Sequence, residues 1–235
     1  MLFELTMLGG IFYLGYRATR KKSPAVAPVS VVMMTRAEQA GAVGEQLTHA
    51  KLEETLNWLC GSNYYLHDGP LVIEHAPGSA FPTAEIDHLA ITPFGIFVFE
   101  TKHWSGRIEN SSVPGDVLRT GNDGSRESRK SPLAQNAPKV QFLRRHVPPI
   151  WPVTGAGVFT SPEVTLASDL PLDMLRLGDL PQWLRTQQVA HSGKPNVDVE
   201  RATNAILSFA DLKPDALSRH RHRVKNTLGQ RVYPK

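Results

Sequence analysis

The sequence predicts an α/β domain in which a central mixed sheet carries one helix before and one helix after a β-hairpin. Three observations carry that expectation. Residues Glu85 to Lys102 hold two β-rich runs separated by Thr92-Pro93-Phe94-Gly95, where Pro at the second turn position and Gly at the fourth fit a type I turn, so the stretch reads as a hairpin. Arg36 to Cys60 reads as a helix closed by Gly61, with Glu45, His49, Leu52, Leu56 and Leu59 recurring at four- and three-residue steps. Pro132 opens a second helix, as Pro favours the first turn, and Trp151 to Phe159 follows as a strand apolar enough to be interior to a sheet.

The remaining elements follow in chain order. Leu2 to Tyr16 is mostly apolar, with Glu4 as its one charge, and Arg17, Arg20, Lys21 and Lys22 follow at once. A spanning helix needs roughly 20 apolar residues, so the run is short unless a flanking arginine snorkels, and Gly9-Gly10 weakens it. A secretory signal has its positive charges before the apolar run, whereas here they come after it. By the positive-inside rule that order keeps the following domain in the cytoplasm, tethered to the membrane if the segment inserts. The alternative is an apolar helix packed on a partner. Residues 1–22 are thus expected as anchor or apolar helix and 23–35, with Pro24 and Pro28, as linker. Residues 36–212 are expected as the folded domain and 213–235 as a basic tail.

Within the domain, Tyr64 to His67 and Leu71 to His75 read as short strands before the hairpin. Arg107 to Ile108 continues as a strand, and Val113 to Lys130, with Gly115, Gly121, Asn122 and Gly124, reads as a loop-rich excursion. Glu163 to Leu166 reads as a further strand, Leu177 to Leu184 as a turn into a short helix, and Asn196 to Leu212 as a final helix.

The chemistry sits at one end of the hairpin. Side chains alternate across a strand, so Ile96, Val98, Glu100 and Lys102 share one face while Phe97, Phe99 and Thr101 share the other. Asp87, in phase with Leu89 and Ile91, lies at the matching end of the partner strand, and the hairpin can gather Asp87, Glu100 and Lys102 into one cluster. Two acids and a lysine beside an apolar sheet are costly unless paired or bound to a metal. Asp plus Glu supply the hard oxygens that Mg²⁺ or Mn²⁺ accepts, with water and substrate phosphate completing the shell. The bland alternative is an edge-strand salt bridge between Glu100 and Lys102. Glu45 is an acid on an otherwise inward stripe, which fits a third carboxylate at the same cluster or a helix N-terminal glutamate favoured by the macrodipole. His67, His75, His88 and His103 match no compact zinc spacing.

Composition bounds the partners. The chain of 235 residues is 41% hydrophobic and 20% charged, with a net charge of +4. From Leu217 onward there are six cations and no acid, which leaves the preceding residues at a net −2. Basic character suited to a polyanion is therefore concentrated in Arg219, Arg221 and Arg223 and in loop or helix residues such as Arg126, Arg129, Lys130, Lys139 and Arg144. An anionic membrane would attract the tail equally well. A single cysteine, Cys60, excludes an internal disulfide.

Gly41-Ala42-Val43-Gly44-Glu45, Ile86-Asp87-His88, Phe99-Glu100-Thr101-Lys102-His103-Trp104-Ser105-Gly106 and Pro132-Leu133-Ala134-Gln135 occur in that order. Together they resemble the nuclease-related domain, NERD, which is similar to the PD-(D/E)xK nucleases with their restriction-endonuclease-like fold. The resemblance covers about Arg36 to Arg145 well. His103 and Ser131 stand where many relatives carry Asn. What the resemblance implies is a metal-dependent hydrolase of phosphodiester bonds, on DNA rather than RNA. Asp87, Glu100, Glu45 and the Thr101 carbonyl would hold Mg²⁺ or Mn²⁺, Lys102 would act on the attacking water, and Gln135 would support them. A domain of this size in that superfamily often works as a homo-oligomer. The alternative is a non-catalytic nucleic-acid-binding or membrane-tethered adaptor that keeps the fold.

Overall fold

The computed structural model describes residues 35–232. The expected anchor and nearly all of the expected linker lie outside the described residues, and among those described no helix is long and apolar enough to cross a membrane.

Helix α1 (Arg36–Cys60) starts at a capping box: Glu38 N–H donates to Thr35 Oγ1 at 3.2 Å, and Thr35 N–H donates to Glu38 Oε2 at 2.7 Å. Strands β1 (Tyr65–Leu66), β2 (Leu71–Glu74) and β3 (Thr83–Ile86) lead to the hairpin β4 (His88–Thr92) and β5 (Gly95–Lys102). The turn is the expected one in place, with Thr92 paired to Gly95 across Pro93-Phe94. Then come β6 (Gly106–Asn110), β7 (Asp116–Thr120), β8 (Arg126–Lys130), α2 (Pro132–His146), β9 (Val153–Phe159), β10 (Val164–Leu166), β11 (Met174–Arg176), α3 (Leu180–His191), α4 (Val199–Leu207) and α5 (Ala216–Val232).

The central sheet has the order β1-β4-β5-β9-β11. Its β1–β4 and β4–β5 pairs are antiparallel, while the β5–β9 and β9–β11 pairs are parallel, so the sheet is mixed as expected. Period-two alternation divides the core. Ile96 and Val98 pack with Val140 and Leu143 of α2, and Phe97 and Phe99 pack with Leu52 and Leu56 of α1 and Trp183 of α3. A second sheet, β10-β6-β7-β8, continues from the end of β5 and encloses its own cluster around Ile108, Val117 and Phe159.

Three elements differ from the sequence expectation. The loop-rich excursion over Val113–Lys130 is an antiparallel β7–β8 pair. Its glycines at 115 and 124 take φ of +79° and close turns, and its positions are half-buried or exposed except for Val117, which removes the apolar alternation that marks a strand. The helix expected over Asn196–Leu212 spans only Val199–Leu207, because Asp198 caps it by accepting from Arg201 N–H. It is not the last: the segment expected as a tail forms α5. The chain reaches that position because residues after α4 pair with β2, Asp211 N–H donating to Val72 O at 2.8 Å, which delivers α5 to β2 and β3.

Helix α2 lies close to the sheet because β9 presents glycines beneath it. A Cβ at Gly157 would fall 2.7 Å from the Pro132 ring, and one at Gly155 would fall 2.8 Å from Val140. Asn136 Nδ2 locks the seat by donating to Val98 O at 2.9 Å and Ala156 O at 3.0 Å. Gly157→Ala is therefore expected to destabilise the fold by about 1–3 kcal/mol through overpacking against a rigid ring, read as a lower urea midpoint with unchanged slope.

Candidate active site

At the carboxyl end of β5 the hairpin, α1, α2, β8 and α5 enclose a cleft of about 920 Å³. Its floor is the cluster anticipated at the hairpin end. Glu100 is 7% exposed, and both its oxygens are taken: Lys102 Nζ donates to Oε1 at 2.8 Å and Lys139 Nζ to Oε2 at 2.7 Å. Asp87 sits between β3 and β4, directly before His88, and its Oδ2 accepts from Thr101 N–H at 2.8 Å. His88 is turned into the protein, buried beside His49, and burial with the His49 charge lowers its pKa to about 4.

Helix α1 brings Glu45 to the cleft. The buried stripe is Gly44, Thr48, Leu52, Thr55 and Leu56, so Glu45 lies beside it, half-buried. The approach depends on Gly44. A Cβ there would stand 2.9 Å from Thr160 Oγ1 and 3.3 Å from the Thr101 methyl. Just below, Thr101 Oγ1 donates to Thr48 Oγ1 at 3.2 Å and ties α1 to β5.

Electrostatics set the acids apart. Burial, and then the Glu100 charge, raises the Asp87 pKa to about 7. Burial also raises that of Glu45, with Glu85 and Glu100 adding to it. Burial pushes Glu100 upward too, but Lys139 and then Lys102 outweigh it and hold the group below the ordinary glutamate value. Four acids line the cleft, Glu85 among them, and two of these, Asp87 and Glu45, are disfavoured as anions, so a positive charge added beside that pair would favour their ionisation. Gln135, on the first turn of α2, also lines the cleft, and its Oε1 is buried with no hydrogen-bond partner.

A model of the nuclease-related domain family, NERD, matches residues 40–160, more than half of the chain. The chain belongs to the NERD family. No curated protein and no solved structure matches it. The NERD match spans α1 from Ala40 through β9, and so contains Glu45, Asp87, Glu100, Lys102, Gln135 and Lys139, whereas α5 lies beyond it.

Among the described residues no three His, Cys, Asp or Glu side chains form a ready metal-binding group. Asp87, Glu100 and Glu45 nevertheless line one cleft, and one or two carboxylates are what Mg²⁺ or Mn²⁺ would take from the protein if water and phosphate completed the shell.

The basic residues expected to meet nucleic acid separate into two sets. Arg129 and Lys130 line the NERD cleft, with the Arg129 guanidinium 5.8 Å from the Trp104 ring, and Arg126 is exposed farther along β8. Lys139, expected at a surface, is 5% exposed and spent on Glu100. Arg144 donates Nε and Nη2 to Val153 O at 2.9 and 2.7 Å, on α2 away from the cleft. Arg219 is paired with Asp211 and Asp215, and Arg221 forms a two-point pair with Glu85 at 2.6 and 3.1 Å. Arg223 is exposed and borders a separate depression with Glu74 and Arg145. The physical reason is common to Lys139, Arg144, Arg219 and Arg221: each meets an acid or carbonyl brought near by the fold. His220 and Val224 of α5 line the cleft, and His220 Nδ1 lies 2.8 Å from Thr83 Oγ1. Lys139 had a sequence signal, since it follows Gln135 by four residues and shares its helix face. The α5 contacts had none.

The raised Asp87 pKa has a sign that can be measured. The protonated form is the one the fold favours, so this contribution to stability is full below the ordinary value of 3.8 and is lost as pH rises through about 7. Asp87→Asn, which keeps an oxygen for Thr101 N–H, is expected to stabilise the metal-free protein by about 2–4 kcal/mol at pH 8.5. Denaturation in EDTA should show that gain shrinking toward zero as pH falls toward 4.

Proposed function

We propose that this NERD protein is a Mg²⁺- or Mn²⁺-dependent nuclease that hydrolyses phosphodiester bonds, in DNA rather than RNA. The observation that carries the reading is the acid pair Asp87 and Glu100 with Lys102 on the floor of one cleft. Asp87 and Glu100, with Glu45 and the Thr101 carbonyl, would hold the ion. A divalent ion bound there supplies polarisation of a phosphoryl oxygen and a lower pKa for its water.

The chain's own residues do the rest. Lys102 donates from the cleft floor to the attacking water or to the charge that develops on phosphate. Gln135 Oε1, a buried acceptor without a partner, accepts a hydrogen bond from that water and aims it. Arg129 and Lys130 at the rim hold the flanking phosphates, and Arg126 and Arg223 extend the basic surface. The preference for DNA rests on the family resemblance. The same reading keeps the domain in the cytoplasm, with Leu2–Tyr16 as a tether to the membrane face and pairing into a homo-oligomer as the route to duplex substrate.

One observation favours a second reading, an adaptor that binds nucleic acid or sits at a membrane without cutting. With Lys102 and Lys139 on its two oxygens, Glu100 is already neutralised without an ion. Cleavage decides between them. The purified chain should cut single- or double-stranded DNA in Mg²⁺ or Mn²⁺ and stop in EDTA. Asp87→Ala and Lys102→Ala should each lose at least about a hundredfold in rate while keeping their circular dichroism. Equal cleavage by both variants would remove this mechanism, and DNA binding without cutting in either metal would favour the adaptor.

A further inference from the structure

We infer that the two lysines on Glu100 are not equivalent: Lys139 is a fixed positioning residue that holds Oε2, and Lys102 is the exchangeable one that surrenders Oε1 to an incoming cation. The inference rests on the metal-dependent reading above and specifies how the site loads. A divalent ion that ligates Glu100 comes close to an ammonium already on the oxygen it takes, and repulsion between the two cations favours departure of that lysine. The question is which one leaves.

Lys139 is held on every side. Its side chain is 7% exposed, and it grows from the part of α2 that is pressed onto β9. Gly155 admits Val140 beside it, and Asn136, one turn earlier, is bonded to the carbonyls of Val98 and Ala156. An ammonium withdrawn from Glu100 there would remain desolvated and unpaired. Lys102 is the last residue of β5, its side chain is 16% exposed, and it has another seat at hand. Its Nζ already stands 5.8 Å from the Trp104 ring centroid, so a small rotation exchanges the carboxylate for the ring face and cleft water. That rotation also carries the ammonium into the cleft, where it is needed against phosphate. Loading the ion and presenting the lysine are thus one motion. Lys139 meanwhile keeps its bond to Oε2 and holds the Glu100 carboxylate from turning.

The test uses the full chain with ¹⁵N-labelled lysine, its side-chain ammonium resonances assigned by Lys102→Met and Lys139→Met, titrated with Mg²⁺ beside calorimetry. The expected result is that the Lys102 resonance shifts and exchanges faster with water while that of Lys139 stays in place. Lys102→Met should bind Mg²⁺ roughly tenfold more tightly, its competitor being gone. Lys139→Met should lower kcat about a hundredfold with KM for DNA unchanged, the mark of a misplaced ligand. Binding heat accompanied by movement of Lys139, or by no movement of Lys102, overturns the inference. Should Lys139→Met fail to fold, the wild-type titration still decides, since it reads both resonances directly. Absence of binding heat with both resonances unmoved overturns instead the metal-dependent reading on which the inference stands.

Discussion

Glu100 is the constraint around which the molecule is arranged. A carboxylate at 7% exposure, at the end of a strand whose preceding residues are wholly apolar, is tolerable only because two ammonium groups reach it. One comes from the same strand, two residues on, at no cost in topology. The other must come from a helix on the covering layer, and it can do so only if that helix lies nearly in contact with the sheet. The glycines of β9, the Pro132 ring above them and the Asn136 amide are the means by which α2 is brought that near. The parallel pairing of β5 with β9 follows, since it sets those glycines level with the residues leading to Glu100. A local electrostatic demand is met by backbone choices on a different strand.

The other acids obey a different logic. Asp87 and Glu45 have no lysine of their own. Asp87 leans on a single main-chain N–H, and Glu45 stands at the cleft edge with Glu85 and Glu100 near it. Their protonation is favoured by what surrounds them, so positive charge added beside them would stabilise their anions. That is the polarity the proposed cation and phosphodiester substrate would require.

What could be read in the sequence was what is written at short range. The alternation of β5 located Glu100 and Lys102 on one face, the Pro-Phe turn paired the strands so that Asp87 met them, and the proline and glutamine of α2 marked its start. The β7–β8 pair was hidden because only Val117 is buried along it, so its side chains carry no apolar period. Lys139 shared a helix face with Gln135, but its burial was hidden, since that depends on glycines that come nearly twenty residues later. Arg221 and His220 looked like part of a loose basic end because their partners, Glu85 and Thr83, lie well over a hundred residues earlier. Sequence pattern reports a residue's neighbours along the chain, and these roles are set by neighbours across it.

The placement of α5 bears on the order in which the protein can become competent. Every acid of the cleft, both lysines and Gln135 precede Val140 in the chain, yet the wall formed by His220 and Val224 belongs to α5. The earlier elements can assemble the acid–lysine floor by themselves, but the cleft above it stays open on one side until α5 docks on β3. Completion of the site is therefore a later event than the making of its floor, set by the docking of one helix.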